Sequence, residues 1–342
     1  MKFSKKGFIF SILIILLTAF LMGYRLPFYI YKPGEADALN PIVEVSNGFE
    51  SEGDMHLVTV RGGQATPIQY AWASFHPHYD IMSMDEVFPE GISQDEYFEA
   101  QLQMMENSQE ASTVVAYQAA GKDIDIEYKG VYVVSVIEGM PAEGQLKSGD
   151  RITKVDDQSI QQSEDLIEYV SSKKAGDTIT LTVERGKETL KKQIELAAFE
   201  DAGNKVGVGI QLVTDREVEV DPSIEFASGN IGGPSAGLMF SLEIYDQLTE
   251  EDLTKGYEIA GTGEISYEGQ VGRIGGIDKK VIAADDEGCS IFFAPNENGA
   301  ENSNYSVAVK TAEEIGTDMK IVPVDTFQDA LDYLEKIKPK SE

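Results

Sequence analysis

The spacing of apolar and polar residues divides the chain into stretches of different character. Gly7 to Tyr24 is an almost continuous apolar run, broken only by Ser11 and Thr18 and preceded by Lys2, Lys5 and Lys6. It approaches the roughly 20 residues of a transmembrane helix and exceeds the ~7–15 of a signal-peptide core. No small-x-small cleavage site stands in Met22-Gly23-Tyr24-Arg25-Leu26-Pro27. The run therefore predicts an uncleaved membrane anchor, with its lysines and N-terminus in the cytoplasm and residues from about 25 onward outside. Pro33-Gly34 reads as a turn, and Ile42 to Val45 and Met55 to Val60 read as strands around a Gly- and acid-rich loop. Ser93-Gln94-Asp95-Glu96 has capping-box spacing and opens a polar helix with Phe98, Leu102 and Met105 on one side, ended at Gly121. From Gly130 the pattern changes to short strands, Val131 to Val136, Asp150 to Val155 and Thr178 to Val183, with a helix over Ser163 to Ser171.

Helical spacing returns in the last third. Gly232-Gly233 breaks the preceding segment, Pro234 suits a first helical position, and Leu238, Leu242 and Tyr245 recur on one face, so Ser235 is expected to open a helix. Unpaired backbone N–H groups and a positive dipole end would then surround an oxyanion formed at Ser235. A second helix is expected from Gly275-Gly276 to Gly288. At about 100° per residue Lys280 shares the face of Ile277, Ala283 and Ala284, whereas Lys279 falls with Asp278, Asp286 and the solvent side. Lys280 is thus a charge on an apolar stripe, and burial lowers a lysine pKa from ~10.4 toward the ~7–8 a general base needs. Each element has a plainer reading: G-P-S-A-G as a turn that starts a buried helix, and Lys280 as a stem covering apolar surface while its head reaches water. The pairing of the two favours chemistry.

The three histidines are His56, His76 and His78, so the chain beyond them offers no imidazole to activate Ser235. His76-Pro77-His78-Tyr79-Asp80 provides two imidazoles and a carboxylate, short of a closed zinc site, and reads better as a surface loop; no metal is expected. Lys+Arg 28 against Asp+Glu 59 gives a net charge of −31, which argues against nucleic acid as a partner. Cys289 is the only cysteine, so no internal disulfide forms, and its place before Ile291-Phe292-Phe293-Ala294 suits a small core residue. No G-x-x-x-x-G-K-[ST] phosphate loop occurs, so no nucleotide is expected as partner and no cofactor is implied.

Gly233-Pro234-Ser235-Ala236-Gly237, Ala260-Gly261-Thr262-Gly263-Glu264-Ile265, Gly269-Gln270-Val271 and Gly275-Gly276-Ile277-Asp278-Lys279-Lys280 with Ala283-Ala284 together resemble the proteolytic domain of Lon-type proteases. The resemblance implies that Ser235 is the nucleophile, Lys280 its base and Thr262 a residue that orients the lysine amine. It departs from the family in the missing ATPase loop. Pro141-Ala142, Leu146 to Ile152 and Asp156 to Ile160 resemble a PDZ domain over about 115–197, which implies peptide capture by strand addition, with Gly130, Val131, Tyr132 and Val133 at the position of the binding loop and strand.

The combination resembles PDZ-containing, membrane-anchored Lon-like serine proteases of Gram-positive bacteria. It implies an α+β multidomain fold: a transmembrane anchor (7–24), an N-terminal extracytoplasmic region (25–114) with a helix and with strands that could complete the catalytic sheet, which the sequence does not settle, a PDZ domain (115–197; a small β-barrel-like sheet with helices) and a Lon-type α/β proteolytic domain (200–338). The function implied is an ATP-independent, extracytoplasmic serine endopeptidase acting on peptides or unfolded protein segments, with the cell membrane as a partner through the helix. Rings formed by Lon-type domains leave a homo-oligomer open. The competing readings are a membrane-anchored PDZ scaffold without catalysis and, more weakly, metal-dependent hydrolysis through His76 and His78.

Overall fold

The computed structural model describes residues 5–88, 94–199 and 205–340. The chain divides into two compact units: one from the N-terminal part to Asp123 together with Val220 onward, the other Ile124–Glu219. The N-terminal segment lays down α1 (Lys5–Gly23), β1 (Phe28–Ala38), β2 (Val43–Val45), β3 (Met55–Gln64), α2 (Pro67–Ala73), β4 (Asp80–Ser83), α3 (Met84–Val87) and α4 (Gln94–Ala119). The second unit holds β5 (Asp123–Val136), β6 (Arg151–Val155), β7 (Gln158–Ser159), α5 (Ser163–Ser171), β8 (Thr178–Arg185), β9 (Glu188–Glu195), β10 (Ala197–Phe199), β11 (Lys205–Gly207) and most of β12 (Ile210–Asp221). The chain then returns to the first unit with β13 (Ile224–Phe226), α6 (Gly237–Leu248), β14 (Ile259–Gly261), β15 (Glu264–Ile265), β16 (Val271–Gly272), α7 (Ile277–Glu287), β17 (Ile291–Pro295), α8 (Asn304–Ile315), β18 (Lys320–Val324) and α9 (Phe327–Lys336).

The first unit is built on a six-stranded sheet in the order β18-β17-β14-β3-β1-β4. Its C-terminal strands run parallel to one another and to β3, with Ile259 opposite Met55 and Gly261 opposite Leu57, while β1 runs antiparallel to β3 and β4. Segments far apart in sequence therefore share one sheet. Ala36, Val58, Ala260, Val281, Ala284, Phe292 and Ala308 form a buried cluster between the sheet and α7 and α8. Because side chains alternate along a strand, Leu57 and Gly261 face the other way, where Gly261 lies against Met239 of α6. α9 closes the fold through a capping box, with Thr326 accepting from the Asp329 amide, a contact worth about 1 kcal/mol.

Pro33-Gly34 is not a turn. β1 runs through it, and the register against β3 shifts between Pro33 and Ala36. A Cβ on Gly34 would fall 2.5 Å from the Thr59 carbonyl oxygen, so the irregularity needs glycine because the neighbouring backbone approaches too closely for any side chain. Ser93, expected to cap α4, lies outside the described residues.

The expected transmembrane helix requires correction. Among the described residues no helix is long and apolar enough to cross a membrane. α1 has 19 residues and its first two are Lys5 and Lys6, leaving 19 − 2 = 17 from Gly7, roughly 25 Å of helix against the ~30 Å of a bilayer core. The described fold is mixed α/β with no membrane-spanning helix among the described residues, and the single-pass placement with an extracytoplasmic catalytic region, which rested on that helix, falls with it.

In the second unit one sheet runs β12-β5-β6-β8-β9 with β7 paired to β6, around a core that includes Val131, Val133, Ile152, Leu166, Leu181 and Ile194. β8 and β9 form a hairpin in register from Thr178 opposite Glu195 to Arg185 opposite Glu188. Asp150 is buried at its heart, taking Arg185 Nε at 2.6 Å and Nη2 at 2.7 Å. This pair locks the loop before β6 to the end of β8.

Candidate active site

Ser235 lies two residues before α6 rather than inside it. Pro234, Ser235 and Ala236 form a turn held from both sides. From α4, Ser108 Oγ donates to Pro234 O at 3.0 Å, Ser112 Oγ donates to Gly237 O at 2.9 Å, and the Gln101 carbonyl accepts from the Gly233 amide at 2.8 Å. From the strand side, the Gly263 amide donates to Ser235 O at 2.9 Å and the Leu238 amide to Gly263 O at 3.1 Å. A Cβ on Gly237 would sit 2.7 Å from Ile265 Cγ2 and 2.8 Å from Ser108 Oγ, so the close packing of α4, α6 and β15 around the turn requires glycine there. Among the described residues the amides of Ser235 and Ala236 meet no acceptor. They remain as donors near the hydroxyl.

Lys280 comes from the first turns of α7, which ends at Gly288 as its sequence predicts. Its side chain is 4% exposed, and burial alone draws its pKa down to about 7. Nζ lies 2.6 Å from Ser235 Oγ and 3.0 Å from Thr262 Oγ1. Thr262, wholly buried just after β14, spends its one hydroxyl proton on Ser235 O at 2.9 Å and can therefore only accept from the lysine. A neutral amine that donates to Thr262 has its lone pair left for the Ser235 proton. The three residues singled out in the sequence, Ser235, Lys280 and Thr262, thus converge within hydrogen-bonding distance.

Lys279 is not where its helical position placed it. Its side chain is 2% exposed, and Nζ pairs with Asp80 of β4 at 2.6 Å and with Asp278 at 3.0 Å. The solvent side assigned by angle is covered because β1 and β4, contributed by the N-terminal segment, pack where an isolated helix would meet water.

A cleft of about 790 Å³ opens over Ser235 and Lys280, walled by β1 and β3 from Glu35 to Arg61, by α4 at Gln101 and Met105, and by Asn230 to Ala236. No histidine lines it. His56 is buried with Nε2 2.7 Å from Glu258, and His76 stacks on Trp72 with its Nδ1 2.8 Å from the Trp72 carbonyl. Among the described residues no three His, Cys, Asp or Glu side chains are grouped as a metal site. Cys289 is buried, and desolvation first, then Glu258 and Glu287, push its thiol up to about 12.

The second unit corrects the expected peptide loop. Gly130 to Val133 lie inside β5, flanked by β6 and β12; Val131 pairs with Ile152, and both Val131 and Val133 are fully buried. No strand can be added there. A groove of about 320 Å³ lies instead between α5 and the run from Val206 to Leu212, lined by Leu166, Ile167, Val170, Val208 and Ile210. β12 is the edge of its sheet, so its free side can accept a strand. The missed signal was Val206-Gly207-Val208-Gly209-Ile210, an apolar run with two glycines directly before the edge strand.

With the geometry in place, comparison with known proteins gives two family matches. The Lon protease (S16) C-terminal proteolytic domain matches residues 166–336, half of the chain. The chain belongs to the Lon protease proteolytic family. A PDZ domain matches residues 101–196, overlapping the Lon-type match over 166–196, a stretch that in the structure belongs wholly to the second unit. The Lon protease of Malacoplasma penetrans is 33% identical over 154 residues, covering 44% of this chain and 18% of that protein. The peroxisomal Lon protease homolog 2 of Caenorhabditis elegans is 32% identical over 165 residues, covering 48% and 20%. The Lon protease of Mesomycoplasma hyopneumoniae is 34% identical over 104 residues, covering 30% and 11%. This Lon-type chain therefore spans between about a tenth and a fifth of the length of these relatives. The PDZ domain of an SdrC-like protein from Listeria innocua is 40% identical over 25% of this chain and 93% of that domain, with a TM-score of 0.24.

Proposed function

We propose that the chain is a serine peptidase in which Ser235 attacks the scissile carbonyl and Lys280 is the general base, working without ATP on peptides and unfolded segments. The observation that carries this reading is the 2.6 Å approach of Lys280 Nζ to Ser235 Oγ beside an open cleft. As Ser235 Oγ bonds to the carbonyl carbon, its proton passes to the neutral amine, and the oxyanion is received by the Ser235 and Ala236 amides ahead of α6. Lys280 then returns the proton to the departing amide nitrogen as the C–N bond breaks. A water molecule, losing its proton to the same amine, attacks the acyl carbon; the bond from that carbon to Ser235 Oγ breaks, Oγ takes the proton back from Lys280, and the new carboxylate leaves. Thr262 keeps one amine hydrogen engaged so that the lone pair stays aimed at the serine.

ATP-independence rests on the absence of a phosphate loop from the sequence. The groove between α5 and β12 supports capture of extended chain segments by the PDZ domain. A purely scaffolding protein would have no use for a lysine held near neutrality against a serine. The deciding experiment is cleavage of an internally quenched unstructured peptide by the purified chain without nucleotide. Activity is expected to disappear in Ser235→Ala, and cleavage that persists in that variant rejects the reading.

A further inference from the structure

The charges around the Ser235 cleft are unevenly matched. Arg61 is paired with Glu35 at 2.5 Å, and Arg273 with Glu297 at 2.8 Å and the Asn302 carbonyl at 2.9 Å. Asp37 lines the same cleft, half-buried on β1, and among the described residues its carboxylate has no cation or hydrogen-bond donor. It stands opposite Leu57 in the β1–β3 register, with neighbouring Ala36 and Val58 turned into the core beneath α7. Alternation therefore directs Asp37 to the face that carries α6 and the Ser235 turn. Nor is it the counter-ion of the base, since desolvation is the sole cause of the lowered Lys280 pKa. One negative charge is left for whatever enters.

Resting on the reading of Ser235 as nucleophile, we propose that Asp37 is a specificity-determining residue that selects peptide segments carrying lysine or arginine close to the scissile bond. Ile231, Ile274 and Met105 in the cleft supply apolar surface for the methylene stem, and Asp37 supplies the anion for its head. The net charge of −31 acts in the same direction at longer range, raising the local concentration of cationic chains and repelling acidic ones. The long-range field cannot choose a position along the peptide; a fixed carboxylate can. A half-buried pair of this kind gives about three- to tenfold discrimination.

The test uses quenched peptides identical except for one residue, Lys, Leu or Glu, moved through three positions on either side of the cleaved bond. In the full chain, kcat/KM is expected to favour Lys over Leu about three- to tenfold at one position. That ratio should fall toward one in Asp37→Asn, and in Asp37→Lys the peptide with Glu at that position should be preferred over the one with Lys. The same peptides, labelled for anisotropy, are bound to chains that also carry Ser235→Ala, where the Lys-to-Leu affinity ratio is read without cleavage. Circular dichroism and melting of Asp37→Asn, a nearly isosteric change, establish that the fold is kept. A Lys-to-Leu ratio near one in the unaltered chain, or one that Asp37→Asn leaves intact in both assays, overturns the assignment. If no Ser235-dependent cleavage occurs at all, the peptidase reading fails, and the binding ratio still decides Asp37.

Discussion

At the N-terminal end of α6 a buried amine stands beside a serine, and among the described residues no carboxylate is near enough to hold it charged. In the C-terminal half of the same helix, Glu243 and Asp246 are buried, and among the described residues no cation stands beside them. Desolvation brings Lys280 down to about 7 and, acting on the opposite charge type, brings Glu243 up to about 7 and Asp246 up to about 6. The difference lies in what surrounds the neutralised group. Glu243 accepts from Gln247 Nε2 at 2.7 Å; the same amide group donates to Val43 O at 2.9 Å, and Gln247 Oε1 takes the Val45 amide at 2.8 Å, fastening β2 to α6. Asp246 accepts from the Leu253 amide at 2.8 Å and from Ser51 Oγ. Lys280 Nζ lies 2.6 Å from Ser235 Oγ and lines a cleft. Burial of one sign or the other produces a poised titrating group, and of these three only the amine lines a cleft, which is what the proposed peptidase chemistry requires.

The largest effects should come from the open end. Ser235→Ala, Lys280→Ala and Lys280→Arg are each expected to lower kcat/KM by about a thousandfold or more, the arginine because guanidinium does not deprotonate in a protein. Retained activity in Lys280→Arg would show that the amine is not the base. kcat/KM of the unaltered chain should rise about tenfold per pH unit below pH ~7 and level above it, as Lys280 loses its proton. Glu243 titrates in the same range, so the profile alone does not assign the inflection. It should persist in Glu243→Gln; an inflection that vanished there would move the control of activity to the closed end. Thr262→Val, which removes the hydroxyl that accepts from Lys280, should lower kcat about tenfold and shift this inflection. An unchanged profile would make Thr262 a packing residue only.

Lys279→Met should leave the inflection in place while lowering stability by about 1–3 kcal/mol, because its buried head loses Asp80 and Asp278. Thermal melting and the pH profile on one variant separate the neighbouring lysines. Helical geometry identified Lys280 from sequence because its apolar neighbours Ile277, Ala283 and Ala284 are local. It misjudged Lys279 because Asp80 is some 200 residues away in sequence, and nothing in the helix announces that β4 will cover it. Ser235 is marked by its local Gly-Gly-Pro context, whereas Thr262 enters only through the resemblance of its T-G-E motif to Lon-type proteases. Pro33-Gly34 reads as a turn because of its local turn chemistry, whereas β1 continues through it by pairing with β3 on either side and by the Glu35 amide donating to Thr59 Oγ1. The PDZ resemblance implies a peptide groove at Gly130 to Val133, whose valines fill a core instead; the edge that is free depends on which strands pair, information no short window contains.

The smallest change tests the closed end itself. A carboxyl whose folded pKa is raised costs stability as pH climbs from its unfolded value near 4.5 through about 7, because the unfolded chain releases the proton first. Above that window the penalty is constant, at most about 3 kcal/mol for a shift of this size. Glu243→Gln removes the ionisation and keeps a carbonyl oxygen that can accept from Gln247. The variant should match the parent at pH ~4, where Glu243 is protonated in both states, and should melt higher by a few degrees at pH 8 to 9. Lys280 contributes the opposite slope above pH ~7, since its folded pKa lies below the unfolded one, so stability gained by both chains between pH 8 and 10 belongs to the amine and cancels in the difference. A difference between variant and parent that stays constant from pH 4 to 9 would mean that Glu243 is not held neutral by burial. In that case α6 would carry an ionised carboxylate in its buried half, and the symmetry between its two ends would be lost.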